Sequence, residues 1–328
     1  MIVTRAPLRI SLGGGGTDLP FYSSKFGGSL VSVAINKYNY IIVEKRDFYE
    51  ELFIRYSQTE IVKDVSKIKH TRIRAALELL NINEPMEITA LADVPAGTGL
   101  GSSSTFLVAL LKALHTYKKE EVSTKKLAEE AAYIEMEVLK EPIGKHDQYL
   151  ASHGGIINLE IDKNGNVKVS PINISQSSLE ELENNTLLFS TGIRRDATDV
   201  LSEQKKNAES DKEKMNQMHA IKDIGIEIRN ALEKGEISKF GKWLNVHWDT
   251  KKQFGSKMSS SVIDKYYELG LKNGALGGKL VGAGGGGFLL FYCEGNKQRL
   301  RDVFKKERLT ELNFRFDTDG CKVIYNGK

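Results

Sequence analysis

The spacing of apolar residues predicts a run of strands in the first third of the chain. β-Branched and aromatic residues alternate in part with polar ones, in short segments separated by glycine or polar turns, which is typical of strands. Apolar residues at helical spacing also predict one helix over 67–80. The predicted strands are 2–12, 30–35, 40–45, 52–56 and 86–91.

From residue 102 the pattern changes to a helical period. Phe106, Leu110 and Leu114 recur at four-residue spacing with further apolar residues between them, which predicts a helix over 102–118. A second helix is predicted over 124–139. After two glycines the pattern returns to that of a strand, which is predicted over 154–161. The polar residues 163–166 after it predict a hairpin turn.

The second half of the chain begins with a polar segment, 170–185, which we expect to be irregular and to join two domains. The elements predicted after it are a strand over 186–191, three or four helices between 196 and 272, strands 276–281 and 288–293, a helix over 297–306, and strands 314–317 and 322–325. The fold class is therefore predicted to be α+β, with two domains over 1–175 and 176–328.

Composition narrows the classes of function. Of the 328 residues, 40% are hydrophobic and 27% charged, and no apolar run reaches the ~20 residues that cross a bilayer. The net charge of +4 is spread over mixed-sign segments, so we expect a small-molecule substrate, with no nucleic-acid partner and no membrane association. Arg5 and Arg9 precede any signal-like apolar core, and Cys293 and Cys321 lie far apart. We therefore expect a cytoplasmic protein without disulfides or a zinc site.

The first of three glycine-rich segments is PAGTGLGSSST, 95–105. It lies between a predicted strand and the start of a predicted helix, where unpaired backbone N–H groups and the helix dipole stabilise a phosphate group. A serine cap after a flexible loop would explain one glycine and one serine, but not three alternating glycines followed by three serines. We therefore predict a nucleotide-phosphate loop whose contacts are Pro95, Gly97, Gly99, Leu100, Gly101, Ser102, Ser103 and Ser104.

The second segment, KLVGAGGGGF over 279–288, contains a formal GxGxxG. A strand follows this segment, whereas a dinucleotide-binding fingerprint is followed by a helix. The segment therefore does not indicate an NAD-dependent dehydrogenase. Taken alone, a tight hairpin between buried strands is as good an explanation as a ligand loop. Beside the first segment, we predict that this loop packs against the nucleotide phosphates, with Gly284 and Gly285 as contacts.

The third segment, RAPLRISLGGGGTD over 5–18, joins two arginines to four glycines. Two purely structural explanations remain open. The glycines could form only a bulge, and Arg9 and Asp18 could form a surface ion pair. The chain has no Walker A lysine and no HRD or DFG triplet. An ATP-dependent enzyme with this sequence must therefore belong to another lineage.

The three segments, in this order, resemble the motifs of the GHMP kinases, named for galactokinase, homoserine kinase, mevalonate kinase and phosphomevalonate kinase. The motifs lie at 5–18, 95–105 and 279–288, so the resemblance covers nearly the whole chain. It implies ATP and Mg²⁺ as cofactors. It also implies an N-terminal domain with a left-handed βαβ crossover, a C-terminal ferredoxin-like domain and an active site between them.

The resemblance assigns roles to single residues. Asp147, in PIGKHDQY, matches the carboxylate that accepts or orients the proton of the acceptor hydroxyl, although a helix cap is the alternative without the family match. Arg9 matches the arginine beside that carboxylate and the transferred phosphoryl group. Glu135 precedes Asp147 by the family's spacing for a magnesium-binding glutamate, and Ser103 would complete the metal site. Glu137 is the alternative to Glu135.

The segments LGGGGTDLPF, GKHDQ and TGIRRDA resemble the sugar-kinase branch of the family. They imply phosphorylation of the anomeric hydroxyl of D-glycero-D-manno-heptose 7-phosphate to the 1,7-bisphosphate. An L-fucokinase or another sugar-1-kinase is the near alternative, and a non-catalytic nucleotide- or sugar-binding member the distant one. A homodimer is compatible with this reading. The implied substrate contacts are Asp18, Gly15, Thr17, Gly144, Arg195 and Gly284.

A phosphate on the substrate requires a cation in the pocket. The candidates are Arg194, Arg195, Lys145 and His146, of which Arg195 best matches the family segment. A surface arginine at a helix start is an equally good explanation of Arg195. Neighbouring side chains rarely face one point, so we do not expect His146 and Asp147 to act as a dyad.

Overall fold

Two sheets organise the part of the chain that the computed structural model describes, residues 1–194 and 197–327. The larger sheet has the order β12-β1-β2-β5-β3-β4, with β6 paired to β2 and β7 to β6, and the smaller has the order β11-β8-β10-β9. The strands are β1 (Ile2–Gly13), β2 (Gly28–Lys45), β3 (Leu52–Arg55), β4 (Thr59–Val62), β5 (Met86–Ala92), β6 (Ile156–Ile161), β7 (Val167–Pro171), β8 (Thr186–Ser190), β9 (Gly277–Leu280), β10 (Phe288–Tyr292), β11 (Thr310–Glu311) and β12 (Lys322–Asn326).

Helices pack against both sheets, and four of them lie between 196 and 272, as predicted. A 3₁₀ turn over Val65–Lys67 precedes α2, and a π-helical turn over Ile134–Val138 extends α4. None of the helices described here is long and apolar enough to cross a membrane. The helices are α1 (Pro20–Phe26), α2 (Thr71–Leu79), α3 (Ser102–Tyr117), α4 (Thr124–Tyr133), α5 (His146–His153), α6 (Gln176–Asn185), α7 (Ala197–Ser210), α8 (Lys212–Glu233), α9 (Ile237–Lys252), α10 (Ser261–Lys272) and α11 (Lys297–Lys306).

The strand β2 merges two strands that the sequence predicts separately, 30–35 and 40–45. Its first part pairs with β6 and its last part with β5, while β1 runs along most of its length. The pairing with β1 shifts register between Pro7 and Leu8, opposite the polar residues 36–37 of β2. The polar interruption is therefore a bulge in a continuous strand rather than a turn.

The segment 170–185 is not irregular, contrary to the sequence prediction, because it contains β7 residues and the helix α6. Ser175 caps this helix by accepting a hydrogen bond from the backbone N–H of Ser178 at 3.2 Å. Only Ser178 and Leu182 of α6 are buried, so its sequence has too few apolar residues to show a helical period. The expected strand 314–317 is also wrong, since only Phe316 forms a bridge there, to Ile35.

The two halves of the chain share one core and one sheet. The last strand, β12, pairs antiparallel with β1 and so closes the edge of the larger sheet. Leu8 and Ile10 of β1 belong to the same apolar cluster as Ile228 of α8, Phe240 of α9 and Leu290 of β10. Within the larger sheet β3 is parallel to β5 with α2 between them, which forms the expected crossover unit; its left-handed sense stays a prediction. The shared core fixes the position of the cleft described next.

Candidate active site

A cleft of about 660 Å³ opens between the two halves of the chain. The N-terminal side contributes the end of β1, the loop that follows it, the loop before α3 and the start of α5. The C-terminal side contributes α7, the end of α9 and the loop after β9. All three glycine-rich segments of the sequence therefore reach one cavity.

The loop before α3 has the backbone geometry that a phosphate loop requires. Gly97, Gly99 and Gly101 have φ values of +76°, +81° and +77°, a region that residues with a side chain seldom adopt. Gly101 is the N-cap of α3, and no side chain caps the helix there. The open N–H groups and the dipole of α3 therefore point to an anion at this end of the cleft.

Six of the eight predicted phosphate-loop contacts line the cleft: Gly97, Gly99, Gly101, Ser102, Ser103 and Ser104. The other two do not. Leu100 is fully buried, and its carbonyl accepts a hydrogen bond from the backbone of Arg9 at 3.1 Å. The carbonyl of Pro95 accepts from the Thr98 hydroxyl at 3.0 Å. Both residues thus contribute to the shape of the loop through their backbone carbonyls rather than by lining the cleft.

The loop after β9 packs on the phosphate loop, and its expected contact with the nucleotide phosphates stays a prediction. A Cβ on Gly282 would lie 2.6 Å from the Cα of Gly99, so the two backbones touch. Gly284 and Gly285 do not line the cleft; Gly285 instead donates its N–H to the carbonyl of Met258 at 2.9 Å. The cleft is lined by Gly282 and Ala283. Four successive glycines gave no means of telling which of them face a ligand.

Arg9 and Asp147 form a partly buried, two-point ion pair at the end of the phosphate loop. Arg9 Nε lies 2.8 Å from Asp147 Oδ1, and Arg9 Nη2 lies 2.9 Å from Oδ2. The third nitrogen of the guanidinium donates to the carbonyl of Gly99. A Cβ on Gly101 would lie 3.1 Å from Asp147 Oδ2. The pair is therefore fixed directly beside the proposed phosphate position.

His146 also contacts Asp147, contrary to the sequence expectation. Its Nδ1 lies 3.1 Å from Asp147 Oδ1, and its other ring nitrogen hydrogen-bonds with the hydroxyl of Ser32. Both residues lie in the first turn of α5, where side chains lean towards the helix N-terminus and so can meet. Burial alone would raise the pKa of Asp147, but the charge of Arg9 and the hydrogen bond from His146 hold it well below its usual range.

Asp18 faces this pair from the glycine turn that follows β1. Its Oδ2 accepts a hydrogen bond from the backbone N–H of His146 at 3.2 Å, and a Cβ on Gly144 would lie 2.0 Å from the same oxygen. Gly15 lines the cleft beside Asp18. Thr17 does not: it is fully buried, and its hydroxyl donates to the carbonyl of Gly14 at 2.8 Å. Thr17 therefore holds the turn and leaves the cleft to its neighbours.

Comparison with known proteins decides the family. The model of the GHMP kinases N terminal domain matches residues 65–155, and the model of the GHMP kinases C terminal matches residues 228–308. The D-glycero-alpha-D-manno-heptose 7-phosphate kinase of Campylobacter jejuni is 32% identical over 98% of both chains. The chain belongs to the GHMP kinase family.

Other similarities agree with this assignment. The galactokinase of Pyrococcus furiosus is 26% identical and covers 96% of this chain and 95% of its own. A solved D-glycero-D-manno-heptose 1-phosphate kinase from Bacteroides thetaiotaomicron superposes with a TM-score of 0.83, at 26% identity, over 99% of this chain and 100% of that one. The protein is thus an ATP-dependent phosphotransferase with the two-domain fold of this family.

In this GHMP kinase, Glu135 lies at the cleft in the π-helical turn and is fully buried. Its carboxylate accepts hydrogen bonds from Arg72 Nε at 3.0 Å, Ser104 Oγ at 2.7 Å and Gln148 Nε2 at 2.6 Å. Arg72 also donates to Glu141 at 2.6 Å. The predicted glutamate is therefore held in place by three hydrogen bonds, whereas Glu137 is mostly exposed and pairs with Lys140.

Ser103 and Glu135 are compatible with a magnesium ion. A carboxylate offers about four acceptor positions, of which three are used in Glu135, and the Ser103 hydroxyl faces the same cleft. Mg²⁺ commonly takes one or two protein ligands and completes its shell with water and phosphate oxygens. Within the described ranges no group of three or more His, Cys, Asp or Glu side chains forms a self-sufficient metal site.

The structure does not bring together the basic residues that were predicted to bind a substrate phosphate. Lys145 donates to the carbonyl of Gly165 in the β6–β7 turn at 2.7 Å, away from the cleft. Arg194 is exposed and does not line the cleft, and Arg195 lies outside the described residues. Of the three candidates that the structure describes, only His146 borders the cavity.

Sequence reasoning missed several residues that line the cleft, and four of the polar ones are Ser11, Arg72, Gln204 and Lys251. One of them carried a usable signal. Lys251 continues the apolar face of α9 formed by Phe240, Leu244 and Trp248, so it is a lysine at a predicted core position. Such a residue is rarely buried without a role. The other three have no local pattern that separates them from surface polar residues.

Proposed function

We propose that this kinase transfers the γ-phosphoryl group of ATP to the anomeric hydroxyl of a sugar, with D-glycero-D-manno-heptose 7-phosphate as the acceptor. The observation that carries the chemistry is the Arg9–Asp147 pair at the end of the phosphate loop. The choice of acceptor is supported by the names of the heptose kinases to which the chain is similar. An L-fucokinase or another sugar-1-kinase is the alternative acceptor class.

Asp147 acts mainly by orienting the acceptor hydroxyl. Its pKa lies far below the usual carboxyl range, so it is ionised at any working pH but is a weak base. Phosphoryl transfer through a loose transition state needs little basicity, because the proton leaves late. The carboxylate therefore accepts the hydrogen bond of the hydroxyl and receives its proton as the new P–O bond forms. Arg9 offsets the charge that builds on the phosphoryl oxygens.

Ser103 and Glu135 are the residues that would hold Mg²⁺. When bound, the ion neutralises charge on the β- and γ-phosphates of ATP. The protein's own contribution is to fix Glu135 through Arg72, Ser104 and Gln148, so that the carboxylate does not rearrange when the nucleotide binds.

Asp18 is suited to hold the sugar. Its carboxylate faces the same cavity as Asp147, and an ionised carboxylate can accept hydrogen bonds from two neighbouring hydroxyls. Gly144 leaves the space that Asp18 occupies, since any side chain there would collide with it. We propose further that the enzyme acts in the cytoplasm, where its two cysteines, both free in this structure, remain reduced.

The test is ATP consumption with product detection by phosphorus NMR, using heptose 7-phosphate, mannose, L-fucose and galactose as acceptors. We expect turnover with the 7-phosphate and a fall in kcat/KM of about 10²–10⁴-fold in Asp147→Asn, because the variant loses the charged acceptor of the hydroxyl proton. Asp249→Asn, at an exposed aspartate paired with Lys252, is the matched control.

Each result has a separate meaning. A preference for an unphosphorylated sugar would remove the heptose assignment and leave the kinase class. Undiminished activity in Asp147→Asn would overturn the role of Asp147. Nucleotide binding without turnover of any sugar would favour the non-catalytic alternative.

A further inference from the structure

Three basic side chains lie buried side by side on the C-terminal side of the cleft. His247 and Lys251 are one turn apart on α9, and Lys279 lies in β9, with exposed fractions of 0%, 5% and 1%. Burying a charge costs several kcal/mol unless a partner compensates for it. Three basic groups in one place therefore need a reason that packing does not supply.

The hydrogen bonds of these groups go to neutral partners only. Lys251 Nζ donates to the carbonyl of Gly282 at 2.6 Å, and Lys279 Nζ lies 3.4 Å from the carbonyl of Leu12. Both ring nitrogens of His247 lack a hydrogen-bond partner within the described part of the chain. An ammonium group has three N–H donors, so Lys251 has donors to spare.

Only Lys251 of the three borders the cleft. A second polar group lines the same cleft: the hydroxyl of Ser11, on β1, is buried and has no hydrogen-bond partner among the described residues. A buried donor without a partner is costly and usually marks a missing ligand or water. An ammonium and a hydroxyl donor facing one cavity are suited to an oxyanion.

The position of Lys251 narrows the identity of that anion. Its ammonium group is bound to Gly282, whose backbone touches Gly99 of the phosphate loop, and the carbonyl of Gly99 accepts from Arg9. Lys251 and Arg9 therefore approach the meeting point of the two glycine loops from opposite halves of the chain. The phosphoryl group that leaves ATP must pass this point to reach a hydroxyl beside Asp147.

We propose that Lys251, assisted by Ser11, binds a phosphate group of the ligand in the cleft, and that this is the phosphoryl group in transfer. The proposal rests on the proposed function, since it requires phosphoryl transfer here. As the bond from the γ-phosphorus to the bridging oxygen breaks, ADP leaves with the electron pair, and the acceptor oxygen forms the new bond and gives up its proton towards Asp147. Lys251 keeps its own proton and offsets the charge of the moving group.

The electrostatics of the free protein agree with this arrangement. Burial, with the charge of Arg9 as a smaller contribution, lowers the pKa of Lys251 to about 8, while Asp18 opposes the shift. The charged form of Lys251 is therefore destabilised by its burial. A phosphate group bound beside Lys251 would stabilise the charged ammonium through its negative charge.

The experiment compares calorimetric binding of ADP with that of the non-hydrolysable ATP analogue AMP-PNP, for wild type, Lys251→Met and Lys252→Met. Lys252, the matched control, lies on the same helix but pairs with Asp249. We expect Lys251→Met to lower the affinity for AMP-PNP at least tenfold and the affinity for ADP less than threefold. Lys252→Met should bind both nucleotides as the wild type does. In turnover assays, kcat should fall more than KM for ATP changes. Lys251→Arg, which keeps the charge, should retain most of the AMP-PNP preference.

A second arm separates the two sources of phosphate. Heptose 7-phosphate and the unphosphorylated heptose are titrated into the same variants. If Lys251→Met loses only the preference for heptose 7-phosphate over the unphosphorylated heptose, Lys251 binds the phosphate of the acceptor. That result would contradict its assignment to the transferred phosphoryl group. Unchanged affinities for AMP-PNP and the sugar phosphate in Lys251→Met would overturn the proposal. The nucleotide arm needs no turnover, so it decides on Lys251 even if heptose 7-phosphate proves not to be the substrate.

Thermal unfolding adds a readout that a purely structural lysine would not give. Because burial disfavours the charge of Lys251 and Asp18 offsets this only in part, its replacement by methionine should leave Tm of the ligand-free protein unchanged or raised, while the stabilisation by AMP-PNP decreases. A lowered Tm with intact AMP-PNP stabilisation would show a structural role instead.

Discussion

Glu135 shows how a buried carboxylate can be fixed before its ligand arrives. Three donors hold its two oxygens, and one of them, Arg72, ties it to Glu141 as well. A flexible glutamate would lose side-chain entropy on binding a metal, whereas this one has already lost it on folding. The neighbour Glu137 has none of these contacts, although it has the same chemistry.

We therefore expect Glu135→Gln to raise the Mg²⁺ concentration required for half-maximal activity by about tenfold or more, the usual scale for a disturbed metal site. The amide keeps the size of the side chain but loses one acceptor and the charge. A magnesium titration of the kinase reaction measures this. Glu137→Gln should behave as wild type, and equal responses of the two variants would remove Glu135 from the metal site.

The sequence could supply Arg9, Glu135 and Asp147, because family motifs record spacing and residue type together. The apolar face of α9 marks Lys251 as a lysine at a core position, but only the fold shows that it borders the cleft. Nor could the sequence show that His146 meets Asp147, because that contact depends on the direction of side chains in one helical turn.

At the scale of elements, a buried histidine ties the end of α3 to α4. His115 is 2% exposed; its Nε2 lies 2.6 Å from Glu130 and its Nδ1 lies 2.9 Å from Glu120. The hydrogen bond with Glu130 raises the pKa of His115 above its usual value, and burial opposes this only in part. Since α3 begins at the phosphate loop and α4 leads to Glu135, this contact supports both sides of the nucleotide site.

The sign of the pH dependence follows from the raised pKa. A histidine that binds its proton more tightly in the folded state stabilises the fold fully below its unfolded pKa of about 6.5, and this contribution is lost as the pH rises through the folded pKa. We expect His115→Gln to remove that part of the decline in stability between pH 6 and pH 9. Urea midpoints across this range measure it, with His219→Gln, whose ring meets the Tyr22 hydroxyl, as the control. An unaltered pH dependence in His115→Gln would contradict this account.

Elements with a strong apolar period were predictable, and those without one were not. The helix α3 was correct to within one residue because its core face repeats over four turns. The helix α6 was missed because it buries so little, and β2 was divided in two because a bulge and a turn have the same polar residues. In these cases tertiary pairing, which local sequence does not record, decides the structure.

At the scale of the whole molecule, the two halves of the chain share a sheet edge and an apolar cluster, although the fold has two domains. The strand β12 completes the larger sheet at β1, and the apolar cluster around β1 includes residues of α8, α9 and β10. A division of the chain at 175/176 would therefore expose an apolar face of the first sheet and remove its edge strand. Shared burial of this kind couples the unfolding of the two halves.

We expect a single calorimetric transition for the full chain and no cooperative transition for a fragment over 1–175. The fragment lacks the helices α8 and α9 that cover β1, so its exposed apolar surface should bind hydrophobic dyes and cause association. Addition of the fragment over 176–328 should restore a transition. A well-defined transition of fragment 1–175 alone would show that the halves are independent.

The π-helical turn before Glu141 has a consequence for the evolution of the site. The N–H of Leu139 bonds to the carbonyl of Ile134, five residues back, so this turn holds one residue more than a regular helix would. Loss of that residue would let the turn return to regular α-helical geometry, with the next N–H bonded four residues back. The number of residues between Glu135 and Asp147 could therefore differ by one among related sequences while both carboxylates keep their places in the cleft.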